Sequence, residues 1–113
     1  MKCFPGYSLY KEIMVDKNGL LKIGEVAKQL GVHDQTIRMY ERKGLLKPTR
    51  SEHNTRLFTR NDVTKVTTII TLTLELGMNL SGVKIVFSLA KKLKMNDDEL
   101  LDFIYDHISE FQV

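Results

Sequence analysis

The sequence predicts a mainly helical domain with a small β wing and a short C-terminal helix, on three observations. Apolar residues recur at helical spacing in several short blocks, each closed by a glycine or opened by a polar capping residue. A proline-bounded polar stretch between residues 48 and 58 interrupts these blocks. Basic charge gathers in one segment and acidic charge in another.

The elements follow in order. Residues 1–20 read as an extension, where Lys17-Asn18-Gly19 lies between Ile13-Met14-Val15 and Leu20-Leu21. An Asn-Gly pair between apolar runs is a hairpin signal, with a loose tail as the alternative. Ile23, Val26, Ala27 and Leu30 fall at i, i+3, i+4 and i+7, and Gly31 stops that first helix. After Val32, His33 stands where an N-cap belongs, and Asp34 suits the positive end of a second helix over about residues 34–43. Gly44 ends it, leaving Leu45 and Leu46 to pack beneath.

Pro48 forbids further helix, and two extended pieces, residues 47–50 and 56–58, flank a polar turn and pair as a wing. Thr59 and Asp62 have capping-box spacing and open a third helix. Val63, Val66, Ile70 and Leu74 form its stripe, widened by Ile69, Leu72 and Leu76. Its threonines at 64, 67, 68, 71 and 73 are poor helix formers, so its stability must come from packing. Asn79 caps a fourth helix that buries Val83, Val86, Phe87, Ala90 and Leu93. Asn96 caps a fifth, with Asp97, Asp98 and Glu99 in its first turn and Leu101, Ile104, Ile108 and Phe111 on its apolar face. The expected organisation is an extension (1–20), one domain (21–94) and a short acidic helix (95–113).

With 113 residues, 42% apolar and 27% charged, the chain has the size and composition of a single soluble domain. No apolar run approaches the ~18 residues of a membrane span, and Pro5, Gly6 and Ser8 break any leader-like stretch, so a cytoplasmic location is expected. One cysteine, Cys3, allows no internal disulfide, and no Cys/His cluster offers a metal site. Neither metal nor cofactor is expected. Paired catalytic acids, a nucleophile with its base and a phosphate-binding glycine loop are all missing, which argues against an enzyme. The net charge of +3 conceals a local +5 over residues 22–60 and −6 over residues 95–113. A concentrated basic segment is what a polyanion partner requires.

A short helix, a tight turn and a second helix with a polar, basic outer face make a helix-turn-helix, whose second helix enters the DNA major groove. Gln35, Arg38 and Arg42 share a face of that helix, with Ile37 pointing inward. Gln35 can pair with a base edge, Arg38 with guanine or phosphate, and the Tyr40 hydroxyl with phosphate. Arg50 and Arg56 frame the wing and give it a second backbone contact; Thr36 and Lys43 complete the candidate set.

Three stretches carry a family resemblance: Ile23-Gly24-Glu25-Val26-Ala27, the run from Gly31-Val32-His33-Asp34-Gln35-Thr36 through Arg38-Met39-Tyr40-Glu41-Arg42-Lys43-Gly44-Leu45, and Arg56-Leu57-Phe58-Thr59. Over residues 21–93 the chain resembles the DNA-binding domain of the MerR family of bacterial regulators. The His33-Asp34-Gln35-Thr36 helix start and the run from Gly77-Met78-Asn79-Leu80 to Ser81-Gly82-Val83-Lys84 look most like its heat-shock repressor branch. The resemblance implies a winged helix-turn-helix, with DNA contacts at the positions of Gln35, Arg38 and Tyr40 and at the wing positions of Arg50 and Arg56. Phe58 stands where a tyrosine is commoner, which removes a hydroxyl and keeps the aromatic packing.

The expected function is a transcription regulator, a repressor rather than an activator, that binds double-stranded DNA as a homodimer on an inverted repeat. A small architectural or recombination accessory DNA-binding protein is the alternative. The apolar face Leu101, Ile104, Ile108 and Phe111 is expected to make the dimer contact. The 19 residues after Lys94 leave no room for an effector domain. The acidic tail is most simply a solvated face; the heat-shock branch would suggest a chaperone as its partner.

Overall fold

The computed structural model describes residues 20–113; Cys3 and the hairpin reading at residues 17–19 lie outside them. The elements run β1 (Leu21–Lys22), α1 (Ile23–Leu30), α2 (Asp34–Arg42), β2 (Thr49–Arg50), β3 (Arg56–Phe58), α3 (Arg60–Ile70, prolonged by a wide turn over Thr71–Glu75), α4 (Leu80–Lys92), α5 (Asp97–Asp106) and the single turn α6 (Ile108–Phe111). The wing is three-stranded and antiparallel, in the order β1-β3-β2, with Leu21 opposite Phe58 and Arg50 opposite Arg56. The third strand, β1, ties the entry to α1 onto the wing.

The ends of the helices obey capping chemistry. Gly31 closes α1 at φ +71°, and its amide, with that of Val32, bonds back to the last carbonyls of the helix. His33 occupies the N-cap position of α2 with extended backbone but makes no side-chain capping bond, contrary to expectation. At α3 the capping box is complete: Asp62 N donates to Thr59 Oγ1 (3.1 Å), and Thr59 N donates to Asp62 Oδ2 (2.9 Å). Asn79 accepts from Gly82 N at 2.8 Å, and Asn96 accepts from Glu99 N at 2.7 Å. These bonds satisfy amides that each helix start would otherwise leave orphaned.

α3 is the axis of the domain. Val63, Val66, Ile69 and Ile70 are fully buried, and so are Thr64, Thr67, Thr68 and Thr71. Each of the four threonine hydroxyls lies within 3.1 Å of the carbonyl one turn back. The helix therefore meets the core with hydroxyls already spent inside it. At its C-terminal end the amide of Leu76 bonds to the carbonyl of Thr71, five residues back, which adds a residue to the turn. That extra residue shifts the helical phase. Leu74, expected on the buried stripe, is turned out to 70% exposure while Leu72 stays inside.

α5 packs on α3, and this overturns the expected use of the C-terminal helix. Leu101, Ile104 and Ile108 are 0–3% exposed in a single copy, and of the four residues expected to pair two chains only Phe111 reaches the surface. Periodicity revealed the apolar face; α3 of the same chain covers it. Tyr105 is also buried, its hydroxyl 3.1 Å from Thr71 Oγ1. Because Thr71 donates to Thr67 O, Tyr105 is the donor of that pair.

Two substitutions check this packing. Ile104→Asp buries an unpaired carboxylate and is expected to abolish folding rather than yield folded monomers. Tyr105→Phe removes one buried hydrogen bond and should cost about 1 kcal/mol, read as a fall in Tm by about 4–8 °C. A folded Ile104→Asp protein with a native circular dichroism spectrum would show that α5 does not rest on α3.

Candidate nucleic-acid interface

The two helices of the turn are held from behind. Val26, Ala27 and Leu30 of α1 and Ile37 of α2 enter the core with Leu45 and Leu46, which leaves the opposite face of α2 to solvent. Gln35, Arg42 and Lys43 are exposed there, and Thr36 and Arg38 are half-buried. Arg38 Nη2 donates to Asp34 Oδ2 at 3.3 Å, one turn back. The guanidinium is thereby drawn along the helix, which fixes its direction before any ligand arrives.

Tyr40 requires a correction. It is 4% exposed, part of the core, with its hydroxyl turned toward Thr73 in the wide turn of α3. Burial raises the phenol pKa above its ordinary value, and the nearby Thr73 offsets this only in part. Tyr40 thus anchors α2 to α3 and does not point a hydroxyl outward. Its place at i+3 from the inward Ile37 carried that signal, and the polar tip of the side chain obscured it.

The wing is joined to α2 by a residue absent from the expected set. Glu41 Oε1 accepts from Arg56 Nε at 2.5 Å, and Oε2 accepts from Arg50 Nη2 at 3.1 Å. One carboxylate holds both wing arginines. Arg50 also donates from Nη1 to Asn54 O (3.2 Å) across the turn, where Asn54 adopts φ +63°. Phe58, fully buried, fixes the base of β3. Sequence spacing could not reveal the Glu41 pairs, because their partners lie 9 and 15 residues away along the chain.

Gln35, Arg42 and Lys43 are thus exposed on α2, and Arg50 and Arg56 of the wing are tied to that helix through Glu41. The described residues contain no cluster of three or more His, Cys, Asp or Glu side chains that could hold a metal, and no helix long and apolar enough to cross a membrane.

Comparison with known proteins places this architecture. The family described as MerR HTH family regulatory protein matches residues 21–95. The chain belongs to the MerR family. It is a family of regulators and not of enzymes. Among its relatives, the HTH-type transcriptional regulator GlnR of Bacillus anthracis is 42% identical over 65 residues, 58% of this chain and 50% of that protein. The putative heat shock protein HspR of Streptomyces coelicolor is 35% identical over 69 residues, 60% of this chain and 46% of its own length. The mercuric resistance operon regulatory protein of Bacillus cereus is 30% identical over 92 residues, covering 80% and 69%. The chain thus spans about half the length of the first two of these curated relatives. A crystal structure of HiNmlR, a MerR-family regulator lacking the sensor domain and bound to promoter DNA, superposes with a TM-score of 0.57 at 25% identity, covering 81% of this chain and 64% of that one.

Within this MerR domain the Glu41 link is testable by pH. The Arg56 hydrogen bond, more than the Coulomb attraction of the two arginines, holds the Glu41 carboxyl below the ordinary glutamate value of 4.5, and partial desolvation opposes it. A depressed carboxylate pKa contributes stability that is present above the unfolded value and lost as pH falls through the folded one. The wing therefore stays tied at neutral pH and loosens only in acid. Carboxyl titration by NMR should give Glu41 a midpoint below 4.5 that rises in Arg56→Ala. A midpoint that does not move in the variant would break the link.

Proposed function

We propose that this MerR-family chain is a sequence-specific, double-stranded-DNA-binding transcription regulator that acts as two copies on an inverted repeat, and that it represses. The observation that carries the reading is the joint surface of α2 and the wing: an exposed Gln35 beside Arg42 and Lys43, and two wing arginines fixed to α2 through Glu41. A helix seated in the major groove needs a side chain that reads base edges and cations that meet phosphate on either side. Gln35 fits the first role, reading adenine through its N6 and N7 edge. Arg38, Arg42, Lys43, Arg50 and Arg56 fit the second, with Thr36 close enough to add a hydroxyl contact.

The likeness to HiNmlR, bound to promoter DNA without a sensor domain, supports a function in which this domain itself engages the duplex. Repression by occupying a promoter is the output that needs no further domain, and the cytoplasm, at the nucleoid, is the location that goes with it. The similarities to HspR and to GlnR extend over nearly equal spans, so they favour no branch. The heat-shock assignment and its chaperone partner are not part of the proposal.

Glu41 adds a constraint on affinity. It offsets one of the two wing charges and must share both arginines with phosphate, which weakens attraction to any duplex regardless of sequence. Glu41→Gln should tighten binding to random duplex and steepen its salt dependence by about one unit per copy. Gln35→Ala should relax base preference at one position per half-site, at about 1–3 kcal/mol, in a binding-site selection. Genome-wide mapping of bound sites tests the whole reading: an inverted repeat at promoters is expected. Scattered sites with no common repeat would point instead to an architectural or recombination accessory role, and no enrichment at all would overturn DNA binding.

A further inference from the structure

The first turn of α2 holds an ion pair that phosphate binding does not explain. Asp34 and Arg38 stand one turn apart, and Arg38 Nη2 donates to Asp34 Oδ2 at 3.3 Å. Both side chains reach solvent, at 44% and 33% exposure, and Gln35, three residues before Arg38, is exposed beside them. Arg38 Nε differs from the rest of its group: it is buried and has no hydrogen-bond partner. A guanidinium offers two forks, one from Nε and Nη2 and one from Nη1 and Nη2. Burial of Nε closes the first, so a ligand can be met by two donors only through the Nη1–Nη2 end. Asp34 takes one Nη2 proton there and leaves the other, with both Nη1 protons, for that ligand.

The chemistry of that end selects what it meets. A phosphate is a poor occupant, because the Asp34 carboxylate offsets the arginine charge and repels any anion that approaches it. Asp34 also stands in the first turn of α2, where free amides and the helix dipole would otherwise draw a phosphate. A base edge carries no net charge and escapes this repulsion. Guanine presents O6 and N7, two acceptors side by side, to a fixed pair of N–H donors, whereas adenine puts an amino donor in place of O6. Holding Arg38 beforehand also reduces the side-chain freedom lost on binding, and an arginine without the acid would be free to turn to the backbone.

We propose that Asp34 is a positioning residue for base reading: by holding Arg38 Nη2 and repelling phosphate, it commits Arg38 to a guanine edge, Nη1 and Nη2 to O6 and N7, beside the base read by Gln35. The proposal rests on the DNA-binding reading above. It moves Arg38 from the phosphate contacts, where charge alone puts it, to the base contacts.

Binding-site selection from a random duplex pool, run on the full chain with wild type, Asp34→Ala and Arg38→Ala, tests this. The wild type should select one guanine per half-site that Arg38→Ala no longer selects. Asp34→Ala should lower the preference for that guanine about tenfold. Its binding to random duplex should tighten, with a salt slope steeper by about one unit per copy, as Arg38 turns to phosphate. Placing 7-deazaguanine at the selected position, which removes the N7 acceptor, should cost the wild type about tenfold and Asp34→Ala much less. If Asp34 only supports the end of the helix, Asp34→Ala weakens binding to all sequences alike. That result, or a guanine preference unchanged in Asp34→Ala, or an Arg38→Ala protein that keeps every wild-type base preference, would overturn the proposal. In each of these cases duplex binding by the wild type persists, so the regulatory function stands while the role of Asp34 falls. A wild type that binds no duplex removes the function and the role together.

Discussion

A hydroxyl taken out of water without a partner costs about 1–3 kcal/mol, and α3 buries four of them in Thr64, Thr67, Thr68 and Thr71. The helix meets that cost through bonds of 2.8–3.1 Å to its own carbonyls, with the single Thr64 proton shared between Arg60 O and Asp98 Oδ1. Asp98 of α5 stands 3.0 Å from the Thr64 hydroxyl, and Tyr105 donates to Thr71. On the other side the buried hydroxyl of Tyr40 in α2 faces Thr73. α2 and the C-terminal helix thus both rest on one rod, each placing a buried tyrosine beside one of its threonines.

What this rod positions is a surface whose parts come from different stretches of chain. Ile37 and Tyr40 fix the roll of α2, Phe58 fixes the wing, and Glu41 spans the space between them. Because all three constraints act before a duplex arrives, little order remains to be imposed on binding, and the affinity lost to immobilising loops and side chains is correspondingly small. The cost of the arrangement is electrostatic. Glu41 and Asp34 each oppose cations on the face that would meet phosphate. On the proposed reading, non-specific attraction would be reduced and base contacts would carry a larger share of the discrimination.

Much of this was legible in the sequence because it is written in local chemistry. The stops at Gly31 and Gly44, the capping box of Thr59 and Asp62, the caps at Asn79 and Asn96 and the wing beside Pro48 all depend on neighbours a few residues away. Other features were not legible, among them Leu93, expected on the buried face of the fourth helix and found 70% exposed. The apolar stripe of Leu101, Ile104 and Ile108 declares that it must be covered, and only packing decides that α3 covers it and not a second copy. Leu74 fits an ideal helical stripe, but the wide turn after Ile70 changes the phase before it is reached. Glu41 reads as one more surface acid in a basic helix, and only the return of the chain through the wing gives it two arginines.

On the proposed function, α2 and the wing, held as one body by α3, are the part of the molecule that meets DNA. Amide hydrogen exchange on the full chain, with and without a duplex carrying its best-bound site, tests this most directly. Added protection is expected in Asp34–Arg42 and in the wing from Thr49–Arg50 to Arg56–Phe58, with α3 equally slow in both states. Protection confined to α4 and α5, or an exchange pattern unchanged by saturating duplex, would contradict it.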